Sequence, residues 1–150
     1  MPETEKQQLI RTATLIRRFL ETQWPGWHHK RGRPVQEPLS RGTCQTSSLF
    51  VAEILRRNGI QAKVVQGNSL HQNEGYYWKG RWHGHAWVET LGYIIDVTAD
   101  QFDRHAVSVI ETGSENYKAG SDTATPGARE LRGEFVRNAL LNWPEIFEDT

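Results

Sequence analysis

The chain has 150 residues, in which 18 lysines and arginines balance 18 aspartates and glutamates, and it contains one cysteine. That length suits one domain, residues 1–150 with a core at about 42–110, burying roughly two-thirds of its unfolded surface. The charge balance supplies no attraction to nucleic acid or an anionic membrane, and a single cysteine rules out an internal disulfide.

No run approaches the roughly 18 apolar residues of a membrane span, and the charged N-terminus lacks an apolar signal core. A cytoplasmic protein is therefore expected, a profile shared by effectors exported without a signal. Residues 4–23 place Leu9, Ala13, Ile16 and Leu20 at helical spacing, widened by Ile10 and Phe19, with Arg11, Arg17, Arg18 and Glu21 facing out. Trp24-Pro25-Gly26 is expected to stop this helix. Residues 24–41, with three prolines and two tryptophans, read as an irregular wall of a site. The basic cluster His28-His29-Lys30-Arg31-Gly32-Arg33 inside it reads as solvated loop.

A second helix is expected from Cys44 to about Asn58. Leu49, Phe50, Val51, Ala52, Ile54 and Leu55 nearly encircle it, which predicts a central helix covered on most sides. Arg56-Arg57 and Asn58-Gly59 mark its exit. Residues 60–66 read as a short strand and 67–79 as a polar loop. Strands at 82–89 and 93–97 are joined by a tight turn containing Gly92, and another strand falls at 106–110. Residues 111–127, rich in Gly, Ser, Thr and Asp, read as a mobile loop. A closing helix at 128–143 carries Leu131, Phe135, Ala139 and Leu140 at helical spacing and ends at Pro144. The tail, 145–150, is expected to fray.

Gly42-Thr43-Cys44 puts the lone cysteine directly behind a helix-start signal, with Thr43 as the expected N-cap. A buried cysteine is often only a small apolar residue. In a first helical turn, however, unpaired N–H groups and the helix dipole favour the thiolate, the nucleophilic form. Strand alternation supplies a partner pair. His83, His85, Trp87 and Glu89 share one face of an extended 82–89, and Ile94 and Asp96 share a face of 93–97. If the hairpin closes on Thr90-Leu91, His85 lies opposite Asp96; if it closes on Leu91-Gly92, Trp87 does and His85 is the diagonal neighbour. Either closure gives an imidazole beside a carboxylate. With Cys44 they form a nucleophile, a general base and an orienting acid. The Cys44 backbone N–H suits an oxyanion donor, with Gln36 a candidate second donor and Trp87 a candidate shield or pocket wall.

Several alternatives share these residues. His83 lies on the same face as His85, although the Ala86-Trp87 that follows favours His85. Cys44, His83, His85 and Asp96 make a conceivable zinc set, but without a second cysteine. Asp100 and Asp103 read as solvated, and Asp100 becomes the orienter if the strand ends early. His28, His29, His71 and His105 have no partner evident in the sequence.

Gly42-Thr43-Cys44, the run from Leu49 to Ala62, His85-Ala86-Trp87-Val88-Glu89 and Ile95-Asp96-Val97-Thr98 together resemble the cysteine helix, histidine strand and aspartate strand of the transglutaminase-like superfamily. The resemblance covers Gly42 to about Phe102. It implies an α+β, papain-like fold: a central cysteine helix packed on a small antiparallel sheet, with flanking N- and C-terminal helices. It also implies Cys44 as nucleophile, His85 as base and acid and Asp96 as orienter, needing no cofactor or metal. The expected activity is acyl transfer at an amide of a peptide or protein substrate, of protease, deamidase or transglutaminase type. A binding module that keeps the fold without turnover is the alternative.

Overall fold

In the computed structural model, which describes residues 2–70, 73–120 and 124–144, the first helix, α1 (Glu5–Lys30), begins at a capping box. Thr4 Oγ1 accepts from the Gln7 N–H, and the Gln7 side chain accepts from the Thr4 N–H. Leu9, Ala13, Ile16, Phe19 and Leu20 of the apolar stripe are buried as expected and Ile10 is exposed, but the helix does not stop at Trp24. An interior proline costs about 3 kcal/mol or more. Two anchors oppose that cost: Trp24 is fully buried with its indole N–H on Ser47 Oγ at 3.0 Å, and Trp27 stacks on Phe135 at 5.7 Å. Each buried aromatic contributes about 1.5–3 kcal/mol, so together they outweigh the proline. The supposed basic loop is thus partly the last helical turn, in which His28 is buried and donates to the Leu39 carbonyl at 2.8 Å.

The second helix, α2 (Cys44–Arg57), is central. It ends as its sequence predicts: Gly59 takes φ +77°, its N–H donates to the Arg56 carbonyl, and the Ile60 N–H donates to the Leu55 carbonyl. Phe50 stacks on Phe19 at 5.4 Å, and Trp143 meets both rings edge-on. Trp143 follows the third helix, α3 (Pro126–Asn142), whose N-cap is Thr125. The tail 145–150 and His71 lie outside the described residues.

In chain order the strands are β1 (Lys63–Gly67), β2 (Gly75–Trp78), β3 (Arg81–His83), β4 (His85–Thr90), β5 (Tyr93–Asp96), β6 (Ser108–Glu111) and β7 (Tyr117–Lys118). They form two antiparallel sheets, β1-β4-β5-β6 and β3-β2-β7. One face of the larger sheet packs on α2, with Val88 and Ile95 in the main core. The molecule is thus α+β, with the cysteine helix set against a small antiparallel sheet.

The strand expected over 82–89 is two strands. His83 pairs with Tyr76 and His85 with Gly67, so the chain changes sheets at Gly84. Two glycines permit the close approach this requires. A Cβ on Gly67 would fall 2.2 Å from the Gly75 nitrogen, and one on Gly75, which has φ +101°, would fall 2.0 Å from the His83 carbonyl oxygen. The stretches expected as loops at 67–79 and 111–127 each contribute a strand of the smaller sheet, joined by the Tyr76–Tyr117 pair. Among the described residues no helix is long and apolar enough to cross a membrane.

Candidate active site

Cys44 is the first residue of α2 and is half-buried. Gly42, at φ +81°, turns the chain into the helix. Thr43 precedes it as expected but does not cap with its side chain. Its hydroxyl donates to the Ser40 carbonyl at 2.7 Å and accepts from Ser47 Oγ at 3.0 Å. The early helical N–H groups are therefore not taken up by Thr43 Oγ1, and the helix start keeps its positive end.

What holds this turn is a polar chain running to the far side of the site. Trp24 donates to Ser47, Ser47 to Thr43 and Thr43 to Ser40, whose hydroxyl donates to Asp100. Asp100 in turn takes both terminal nitrogens of Arg17, at 3.0 and 2.9 Å. Arg17 also donates to the carbonyls of Val97 and Ala106 and lies over the Trp24 ring at 4.7 Å. Two sequence expectations are corrected here. Arg17 is buried rather than facing out, and Asp100 is neither solvated nor the orienter but the anchor of Arg17. The position of Arg17, between Ala13 and Leu20 on the buried stripe, was the available signal.

The histidine and aspartate meet across β4 and β5. Thr90 pairs with Tyr93, so the hairpin closes on Leu91-Gly92, both at positive φ, the second of the two anticipated closures. That register makes His85 a diagonal neighbour of Asp96, and its Nε2–H donates to Asp96 Oδ2 at 2.7 Å. The pair is sealed from water, with exposures of 2% and 1%. Tyr117 Oη donates to the same Oδ2 at 2.8 Å, while the Thr98 N–H and hydroxyl donate to Oδ1. Tyr76, Trp87, Phe102 and Tyr117 surround the imidazole with ring centroids 4.9–6.3 Å away.

Burial alone would lower the His85 pKa. The charge of Asp96, its hydrogen bond and the neighbouring Cys44 side chain outweigh that and raise it to about 10. Burial would likewise raise the Asp96 pKa, but His85, the Thr98 N–H and the Tyr117 hydroxyl hold it below the ordinary value. Cys44 contributes to that rise as a neighbouring side chain, after Asp96 in size. With Nε2 committed to Asp96, Nδ1 is the nitrogen left for the thiol, and the Gln101 amide approaches it at 3.4 Å. His85 and Asp96 thus form a hydrogen-bonded pair on neighbouring strands, with Cys44 at the start of the helix packed on that sheet.

The other predicted residues stand apart. His83 belongs to the smaller sheet and donates to the Trp78 carbonyl at 3.2 Å, so it does not join the pair, and the zinc set is not assembled. Among the described residues no group of three His, Cys, Asp or Glu side chains is placed to hold a metal ion. Trp87 is 1% exposed and packs against His85, Tyr117 and Val65; it shields the imidazole and lines no open pocket. The Gln36 amide donates to the Pro34 carbonyl at 2.8 Å, a local turn contact. The segment before Cys44 supports the site through Leu39 and Ser40 rather than walling it.

Three supporting residues were missed in the sequence. Thr98 sits two positions after the aspartate, the spacing of a local Asx-type bond, and was identifiable. Gln101 is placed by the short 3-10 helix Ala99–Phe102. Tyr117 had only its isolation as an aromatic in a polar stretch to mark it. The family model described as the transglutaminase-like superfamily matches residues 3–97, which extends the resemblance through α1 and stops one residue past Asp96. No curated protein and no solved structure matches the chain significantly.

Proposed function

The chain belongs to the transglutaminase-like superfamily, and from that premise we propose that it is a cysteine-dependent acyl-transfer enzyme acting on an amide of a peptide or protein. The buried His85–Asp96 pair, electrostatically joined to a cysteine at a helix start, is the observation that carries this reading.

In the proposed reaction His85 Nδ1 holds the proton of the Cys44 thiol, leaving a thiolate whose charge the helix start favours. The sulfur adds to the substrate carbonyl carbon, and the developing oxyanion takes the backbone N–H of Cys44. Collapse breaks the C–N bond, with His85 passing its proton to the departing amine or ammonia. A thioester on Cys44 remains. Water or an amine, deprotonated by His85, then adds to the thioester and expels the Cys44 sulfur. Asp96 fixes the Nε2–H tautomer and offsets the imidazolium charge throughout.

A binding module has no need for this pairing, and no observation favours it. Cys44→Ala should abolish release of amine or ammonia from peptide amides while leaving the far-UV spectrum unchanged. Full activity in that variant would overturn the reading. Iodoacetamide should alkylate Cys44 faster in the wild type at neutral pH than in His85→Ala; equal rates would mean that the imidazole does not activate the sulfur.

A further inference from the structure

The β2–β3 hairpin borders an open groove of about 900 Å³, within the size range of ligand sites. Gln101 lines it, and its amide lies 3.4 Å from His85 Nδ1. Gly84, directly before His85, forms part of its floor, and a Cβ there would meet only the Gly67 carbonyl at an ordinary 3.7 Å. Tyr77 and Trp82, edge-on at 5.3 Å, make an aromatic wall, and Tyr77 and Leu70 are exposed. β3 is the outer strand of its sheet, so its free edge runs along the groove toward His85.

The groove has a definite charge. Arg81 lines it, exposed and with no acidic partner among the described residues, and Lys79 sits at the same hairpin tip over Trp78 at 4.5 Å. Among the described residues no carboxylate lines it. Two acids next in sequence to lining residues are turned elsewhere, Asp100 to Arg17 and Ser40 and Glu74 to the Asn68 N–H, while Asp103 is exposed just past Phe102. From Arg81 to His85 the chain advances four residues, roughly 13 Å at about 3.3 Å per extended residue.

We propose that this groove receives an extended stretch of the substrate that carries an acidic side chain within about four residues of the amide under attack. The carboxylate meets Arg81, and an intervening apolar side chain packs on Tyr77 and Trp82. This assignment rests on the acyl-transfer reading and adds to it a substrate class, acidic peptide segments.

The test uses two thiol-reactive peptidyl vinyl sulfones, identical except for Asp or Lys three residues from the electrophile. The second-order rate of Cys44 alkylation is read by intact mass. The Asp probe should react about tenfold faster, because an exposed attraction is exchanged for a repulsion. Arg81→Glu should invert the preference, and higher ionic strength should shrink it. Equal wild-type rates, or a preference that survives Arg81→Glu, would overturn the groove assignment while leaving the acyl-transfer reading intact. Failure of both probes to alkylate Cys44 in folded protein would overturn both readings.

Discussion

Asp96 and Asp100 lie four positions apart, each in a salt bridge with a buried cation and each accepting further hydrogen bonds, yet the two pairs differ in kind. Arg17 spends its terminal nitrogens on Asp100 and on the carbonyls of Val97 and Ala106. It carries a permanent charge and has nothing to hand on. His85 spends one nitrogen on Asp96 and has the other beside the Gln101 amide. Its charge is conditional, and the condition is the state of its neighbours. The same carboxylate chemistry therefore serves placement in one pair and reactivity in the other, and the cation decides which. The two pairs are also joined, since Arg17 grips the carbonyl one residue beyond Asp96 and Asp100 reaches the loop before Cys44.

Breaking the pairs separately should separate the two roles. Asp96→Asn keeps the side-chain shape but removes the charge and permits the wrong imidazole tautomer. Turnover should fall by about 10⁴-fold in protein that remains folded at neutral pH. Asp100→Ala leaves the buried Arg17 guanidinium with only the exposed Glu21 carboxylate, 3.5 Å from its Nε. Unfolding free energy should fall by about 3–5 kcal/mol, read as a lower urea midpoint at unchanged slope, with a far smaller loss of turnover per folded molecule. Equal ratios of activity loss to stability loss in the two variants would erase the distinction.

What the sequence disclosed follows from which forces are local. The helix start at Cys44, correct although the expected Thr43 side-chain cap is not made, the glycine exit at Gly59 and the tight turn at Gly92 are each set by residues within one turn of each other. The period-2 alternation that placed His85 beside Asp96 is local as well, once the hairpin is given. The misreadings arise where distant packing decides. Pro25 stays helical because Trp24 and Trp27 are buried by residues far along the chain. Tyr76 and Tyr117 pair across forty-one positions, each set in a polar, glycine-containing stretch, with strands of four and two residues that carry no usable periodicity. Gly84 separates His83 from His85 only because two other glycines let the sheets touch.

The conditional charge of His85 makes its pair visible in stability as well as activity. The folded pKa, about 10, stands above the ordinary 6.5, so His85 contributes stability that is complete below about pH 6.5 and lost as pH rises through about 10. Asp96 is depressed below 3.8; its contribution is present above that value and lost as pH falls through the folded one. Stability from the pair is therefore greatest between these two ordinary values. The wild type should lose urea resistance between pH 6.5 and 10, and His85→Gln should lose less over the same interval. The Arg17–Asp100 pair keeps its cation throughout, so an alkaline loss of the same size in His85→Gln would show that some group other than His85 causes it.

The finest division lies at a single oxygen. Asp96 Oδ2 accepts from His85 Nε2 at 2.7 Å and from Tyr117 Oη at 2.8 Å, so a residue of the smaller sheet stabilises the charge that orients the base. Burial, and then the charge of Asp96, push the Tyr117 pKa up, which keeps its hydroxyl protonated and donating. Tyr117→Phe removes that donor while the ring can keep its edge contacts with Tyr76 and Trp87. A hydrogen bond to a charged group contributes about 1.5–3 kcal/mol, and the retained packing places the stability loss near the lower figure. The Asp96 pKa, held down in part by this donor, should rise. Protonation then begins at less acidic pH, and the acid limb of the pH–rate profile should move upward together with a roughly tenfold fall in turnover. A purely structural Tyr117 would lower the urea midpoint and leave that limb in place. The two outcomes differ because only a donor acting on the charge of Asp96 alters the pH at which the imidazole loses its orienting partner.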